Sequence, residues 1–170
     1  MNITKSIKDL RNNLSCVEKQ PGCYIWWFDK EGTDVLLKQL PDVDKSKIQN
    51  KEDYYALYFG IANNCRERIN WHINQKHSYS AVKSGYLSTL RKTLSALLGK
   101  DMTKSEKQVN DFMDAHCRWE WKYTPSKKEA EAMGIKELEK NTYPLNIQKN
   151  KNVDKAVILK LKELRKRYRK

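Results

Sequence analysis

The sequence predicts an α+β fold: a small three-stranded antiparallel sheet flanked by helices, with an additional helix at each end. Three observations predict it. Aromatic-rich runs at 23–28, 54–61 and 117–123 alternate with the period of a strand. Between them, apolar residues recur at helical spacing. Serine, threonine and asparagine caps, with acidic residues three positions on, open several of those helical segments.

Taken in order, Ile3, Ile7, Leu10, Leu14 and Val17 share a helical stripe, so an amphipathic helix is expected before Pro21-Gly22. The run Cys23–Phe28 reads as a strand, with Tyr24, Trp26 and Phe28 on one face and Cys23, Ile25 and Trp27 on the other. Asp29 to Gly32 reads as a turn. Asp34-Val35-Leu36-Leu37 fits strand or helix, and the polar stretch from Pro41 to Asp53 reads as an excursion. Tyr54 to Ile61 forms a second strand, with Tyr54, Ala56, Tyr58 and Gly60 expected on one face. Asn64 and Glu67 cap a helix to about Asn74. A Leu-rich helix is expected over 80–98, closed by Gly99. A Thr103–Glu106 capping box opens the next helix, which ends near His116. Cys117–Tyr123 is the third strand, with Arg118, Glu120 and Lys122 outward. Ser126 and Glu129 open a helix to about Lys140, Pro144 forbids helix, and a last helix spans 153–169.

The chain has 170 residues, a size that suits one domain, and its hydrophobic fraction of 39% supplies one core. No apolar run reaches membrane-spanning length and no signal-type stretch opens the chain, so a soluble, cytoplasmic protein is expected, with no membrane partner. The four cysteines, Cys16, Cys23, Cys65 and Cys117, lack zinc-ligand spacing. Cys23 and Cys117 fall on strand alternations and read as core residues. Lys and Arg number 34 against 21 Asp and Glu, a net charge of +13. Such a surplus attracts polyanions, nucleic acid foremost.

Several side chains can do chemistry. Glu131 falls on the stripe of Ile135 and Leu138, where a carboxylate either pairs with a cation, holds a metal, or lies at the stripe's edge and reaches water or a lysine. Arg68 and His72, four apart, share one helix face, and an arginine fork suits a phosphate. Tyr24 and Tyr58 are either core residues with satisfied hydroxyls or phenols facing a cleft.

Together these pieces resemble the GIY-YIG nuclease superfamily. The first signature reads Gly22-Cys23-Tyr24 and the second Tyr58-Phe59-Gly60. Arg68 and His72 stand where the family's helix carries its arginine and a frequent histidine. The segment 131–138 resembles the helix with the metal-binding glutamate, and Pro144-Leu145-Asn146 is similar to the closing Pro-x-Asn element. The stretch between the two tyrosine motifs is longer than the compact family pattern. His77 is the nearest match to a further histidine or lysine of the family.

The resemblance implies a metal-dependent endonuclease acting on double-stranded DNA. Tyr24, Tyr58, Arg68, His72 and Glu131 would be the catalytic set: Glu131 would hold Mg²⁺ or Mn²⁺, Arg68 the phosphate, and Tyr24 or Tyr58 the attacking water. Gly22, Gly60 and Asn146 would be structural. His77, Lys83, Arg91, Lys92 and the terminal Arg165, Lys166 and Arg167 are expected to bind nucleic acid. Residues 21–150 would form the nuclease domain, with 1–20 a helix packed on it and 151–170 a basic helix. The rivals are a non-catalytic nucleic-acid-binding module of the same fold and an unrelated adaptor with a basic surface. Target preference and oligomeric state are not legible.

Overall fold

In the computed structural model, residues 3–170 are described. A single antiparallel sheet of five strands runs through the molecule in the order β1-β5-β2-β4-β3. The strands are β1 (Ile3–Ser6), β2 (Gly22–Asp29), β3 (Asn50–Lys51), β4 (Tyr54–Ala62) and β5 (Cys117–Tyr123). The helices are α1 (Ile7–Asn12), α2 (Lys30–Leu37), α3 (Cys65–Asn74), α4 (Tyr79–Lys83), α5 (Thr89–Leu97), α6 (Glu106–His116), α7 (Lys127–Lys140) and α8 (Lys155–Arg167).

The expected α+β class stands, but the sheet has five strands and not three. Both additional strands lie at its edges. Ile3 does not continue the helix of Ile7 and Leu10, because the Ser6 hydroxyl accepts the Asp9 amide and starts α1 there. The extended residues before the cap pair with β5, from Ile3 opposite Trp121 to Ser6 opposite Arg118. The first two residues of the expected N-terminal helix lie outside the described ones. The helix ends at Asn12, and Leu14–Cys16 is a separate 3-10 turn. The other edge strand, β3, reaches β4 through Glu52 and Asp53, both with positive φ. That turn carries no glycine, the usual hairpin signal.

Other departures also trace to local hydrogen bonds. The Asp29 carboxylate accepts the Gly32 amide and opens α2, so the expected turn is a helix start. The expected helix over 80–98 is two helices. Gly85, at φ +80°, ends the first, and the Ser88 hydroxyl caps the second by accepting the Arg91 amide. The Thr103–Glu106 box does not form. Residues Met102–Lys104 make a 3-10 turn, and Glu106 instead accepts the His77 amide at 2.7 Å. The Ser126 hydroxyl does cap α7 at the Glu129 amide, as its spacing predicts.

Both faces of the sheet are covered. On one, Tyr24, Trp26, Phe28, Trp119 and Trp121 pack against Ile69, Ile73, Leu90 and Leu94. On the other, Cys23, Trp27, Ala56 and Phe59 pack with Ala130 of α7 and Tyr143. This second layer buries Glu120, which alternation alone had placed outward. A β-bulge breaks the expected common face of β4. Trp26 pairs with Tyr58 but Trp27 with Ala56, leaving Leu57 as the additional residue. Tyr54 and Ala56 therefore lie on the α7 side, while Leu57 and Tyr58 face the main core.

The outer edge of β4 is closed by the Pro144 segment. The Leu145 amide donates to the Leu57 carbonyl at 3.0 Å. Asn146 then behaves as a substitute strand: its Oδ1 accepts the Phe59 amide at 2.9 Å and its Nδ2 donates to the Phe59 carbonyl at 2.8 Å. Asn146→Ala leaves both Phe59 groups without protein partners, at roughly 1–3 kcal/mol each. Urea unfolding should therefore show a loss of about 2–6 kcal/mol at an unchanged denaturant slope. Asn146→Asp, which keeps the acceptor but opposes the Phe59 carbonyl, should not restore it.

Candidate functional site

The two tyrosine motifs lie side by side, with Tyr24 of β2 opposite Gly60 of β4. The Tyr24 ring crosses over Gly60. A Cβ at position 60 would stand 2.3 Å from both Cζ and the hydroxyl of Tyr24. The glycine is thus required for space. Gly22 has the same reason, since a Cβ there would lie 2.3 Å from the Lys122 carbonyl oxygen.

Helix α3 begins just after β4, its first turn capped by Asn64 Oδ1 at the Glu67 amide. Arg68 and His72 share a face, as the spacing of four implies. His72 is buried, with Nε2 2.9 Å from the Tyr24 hydroxyl and Nδ1 3.1 Å from Ser88 Oγ. Its ring centroid is 5.6 Å from that of Tyr24 and 6.2 Å from that of Tyr58. Burial, then the charges of Arg68 and Arg91, push the His72 pKa down to about 3, so the imidazole is neutral at neutral pH. Burial raises both phenols, against an opposing pull from Arg68, so both are protonated. Arg68 is half-buried, its guanidinium carbon 5.4 Å from the centroid of the Trp71 ring.

Tyr58 joins this cluster to an open cleft of about 810 Å³, whose walls include Tyr58, Gly60, Glu131, Gly134, Asn146 and Arg165. Gly134 lets α7 approach β4, since a Cβ there would sit 3.0 Å from Ile61 Cγ2. The buried stripe of α7 is Ala130 and Gly134. Glu131 and Ile135 lie at its edge, on the cleft. The Glu131 side chain is 49% exposed, and its Oε1 is 3.9 Å from Lys127 Nζ. The carboxylate is therefore not a buried charge in need of a fixed partner.

Among the described residues, no three His, Cys, Asp or Glu side chains cluster as a protein-built metal cage. A single exposed carboxylate on a cleft still fits one class of ion. Magnesium-type cations keep several waters and take one or two carboxylates together with substrate phosphate oxygens.

The remaining candidates separate into three groups. His77 and Arg91 are buried and brace the interior, which leaves neither facing a phosphate. Arg91 donates to His77 Nε2 at 2.8 Å, to the His72 carbonyl at 2.9 Å and to Asn110 Oδ1 at 2.6 Å. With Nε2 accepting, His77 Nδ1 carries the proton and donates to the Met102 carbonyl at 2.8 Å. Arg165 and Lys92 are half-buried, while Lys83 and Lys166 are exposed. Arg167 is exposed but pairs with Glu163 at 3.0 Å. Ser88 was missed by sequence reading. Its signal was the cap position ahead of a Leu-rich helix, which reads as structural until the fold sets it beside His72.

The family model described as the GIY-YIG catalytic domain matches residues 22–167. The chain belongs to this family. The comparisons with curated proteins and with solved structures gave no match. Membership in the GIY-YIG family points to endonuclease chemistry on a nucleic acid, which is typically divalent-metal dependent in this family. The long spacing between the two GIY-YIG signatures is filled by α2, a 3-10 turn at Lys45–Lys47 and β3. Among the described residues, no helix is long and apolar enough to cross a membrane.

The two buried histidines make acid stability a direct readout of this interior. Burial, then Arg91, pushes the His77 pKa down to about 4. An unfolded histidine takes its proton below about pH 6.5, whereas folded His72 and His77 resist until about 3 and 4. The unfolded chain therefore binds more protons across that window. The contribution is complete above pH 6.5 and is lost progressively as pH falls toward the folded values. Unfolding free energy should decline on acidification with a slope approaching about 1.4 kcal/mol per pH unit for each histidine. His77→Gln should remove one histidine's share; an unchanged slope in chemical denaturation would contradict a neutral buried His77.

Proposed function

We propose that this GIY-YIG protein is a divalent-metal-dependent endonuclease that hydrolyses phosphodiester bonds of DNA. The observation that carries the reading is the hydrogen-bonded line Tyr24–His72–Ser88, joined through Tyr58 to the cleft that Glu131 faces.

Hydrolysis of a phosphodiester requires a water held in line with the leaving oxygen, neutralisation of the phosphate charge, and an anchor for a hard cation. Arg68 supplies the fixed cation. Its stacking on Trp71 limits the freedom of the guanidinium, which lowers the cost of orienting two parallel donors on a phosphate. Both phenols stay protonated, so Tyr24 and Tyr58 act by hydrogen bonding and not as phenolates, and Tyr58 is the one that lines the cleft. His72 has too little basicity in its buried setting to serve as an efficient base near neutral pH. Its work is to orient Tyr24. In the tautomer that does this, Nδ1–H donates to Ser88 Oγ, which also takes the Arg91 amide, and Nε2 accepts the Tyr24 hydroxyl. Glu131 would hold Mg²⁺ or Mn²⁺ by one carboxylate, with water and the phosphate completing the coordination. When bound there, the ion stabilises charge on the phosphate and on the leaving oxygen. Asn146 holds the Phe59 backbone and so keeps Tyr58 and Gly60 in place.

The test is plasmid cleavage with each metal and with chelator. The wild-type protein should nick or cut DNA only with Mg²⁺ or Mn²⁺. Arg68→Ala should lower the rate by roughly 10²–10³-fold, the size of effect seen when one donor to transition-state charge is removed. Glu131→Gln should abolish cleavage while sparing DNA binding. Cleavage that survives both substitutions would exclude this mechanism. Binding without cleavage under any metal would identify a non-catalytic nucleic-acid-binding module.

A further inference from the structure

Helix α8 and the tail that continues it carry a dense group of basic residues outside the catalytic set. Lys162, Arg165, Lys166 and Arg169 recur at helical spacing along one side. Lys160 and Arg167 are tied to Glu163 on another side. The first side, with Lys92 of α5, Met102 and Ile147, walls a groove of about 340 Å³ whose lining includes no carboxylate. Burial, then the charges of Arg165 and Arg169, push the Lys92 ammonium down from its ordinary pKa. Burial and Arg169 do the same to Arg165, against an opposing pull from Tyr58. Cations held this close without an acidic partner repel one another, and a polyanion relieves that repulsion.

This groove is continuous with the active cleft, because Arg165 and Ile147 line both. At its other end it is tied to α4 and the turn that follows. Lys92 Nζ donates to the Gly85 carbonyl at 2.6 Å, and Arg169 donates to the carbonyls of Val82 and Lys83 at 3.1 and 2.6 Å. The same short segment presents Tyr79 and Tyr86, 70% and 74% exposed. Lys83 Nζ stands 5.4 Å from the Tyr79 ring centroid. A cationic groove that opens onto exposed aromatic rings is the combination that binds unpaired strands, with phosphates tracked by the cations and bases stacked on the rings.

We propose that the path from the cleft, past Arg165 and along Lys92 and Arg169 to Tyr79 and Tyr86, holds a single-stranded segment adjoining the scissile phosphate. The preferred substrate is then a duplex with an unpaired extension or flap at the cleavage point. This rests on the nuclease reading for its chemistry, but its test does not require cleavage.

The experiment uses the full-length Glu131→Gln protein and labelled DNA in three forms: blunt duplex, the same duplex with a 5′ overhang, and with a 3′ overhang. One overhang form should bind at least about tenfold more tightly than the blunt duplex. Tyr79→Ala and Tyr86→Ala should each reduce that gain by about fivefold or more, up to its complete loss, where a stacked base is lost, leaving blunt-duplex affinity unchanged. A 2-aminopurine in the overhang should be quenched on binding, and less so by the tyrosine variants. Lys92→Gln should lower the salt slope by about 0.7, the value for one single-strand phosphate contact. Both tyrosines are exposed, so thermal melts of the variants should match the parent protein. Equal affinity for blunt and overhang forms, or a gain that survives both tyrosine substitutions, overturns the proposal. If wild-type protein cuts DNA but shows no overhang preference, this inference fails and the nuclease reading stands. Overhang preference without cleavage gives the reverse.

Discussion

The site depends on one close approach, the Tyr24 ring lying across Gly60. Adding a Cβ at 60 would put it 2.3 Å from the Tyr24 hydroxyl, so the ring keeps its place only while that position is glycine. With the ring there, the hydroxyl reaches His72 Nε2. The strand register that sets Tyr24 opposite Gly60 also sets Trp26 opposite Tyr58. The bulge at Leu57 then turns Tyr58 toward His72 while Ala56 packs toward α7. A regular strand that kept Ala56 on the α7 side would turn Tyr58 to that side as well. The bulge is thus part of the site's construction, and the Leu145–Asn146 segment holds the edge beside it.

The sequence was legible wherever local chemistry dominates. Asn64 and Ser126 cap α3 and α7 as their spacing implies, and Arg68 and His72 share a face of α3. Legibility failed where a tertiary hydrogen bond overrode a local pattern. Glu106 had the spacing of a capping residue, yet the His77 amide takes its carboxylate. Ile3 had the spacing of a helical residue, yet Ser6 caps the helix after it. Arg91 stood on a helix beside Lys92 and read as a phosphate contact, yet its donors are consumed by His72, His77 and Asn110. Nothing in the sequence separates those two neighbours, because the difference is which side of α5 meets α3 and α6.

Glu131 shows the reverse case. Helical periodicity put it in line with Ile135 and Leu138, which raised the question of a buried carboxylate. In the fold the stripe is shifted by one residue to Ala130 and Gly134, because only a small side chain and a glycine let α7 lie close against β4. That shift rotates Glu131 from the interior to the cleft wall. A carboxylate so placed keeps its hydration and is available to a hydrated cation, whereas a buried one would need a fixed partner or a proton.

The charge distribution follows the same logic from interior to surface. Arg91 is buried with its donors matched to acceptors, and burial with the charge of Arg11 still brings its pKa down to about 10. It stays a cation at neutral pH, and its field helps hold His72 neutral. Arg68 and Arg165 are half-buried and flank the Tyr58 phenol from two elements, each drawing its pKa down against burial. Those two cations come from α3 and from α8, distant in sequence, and meet because α8 packs on α5 while α5 is locked to α3 through Arg91 and Ser88. One buried arginine therefore links the helix that carries Arg68 to the helix on which α8 and its arginine dock. Loosening Arg91 would disturb how these two half-buried cations are set about Tyr58, so the positive field at that phenol depends on an interior hydrogen-bond network and not on surface charge alone.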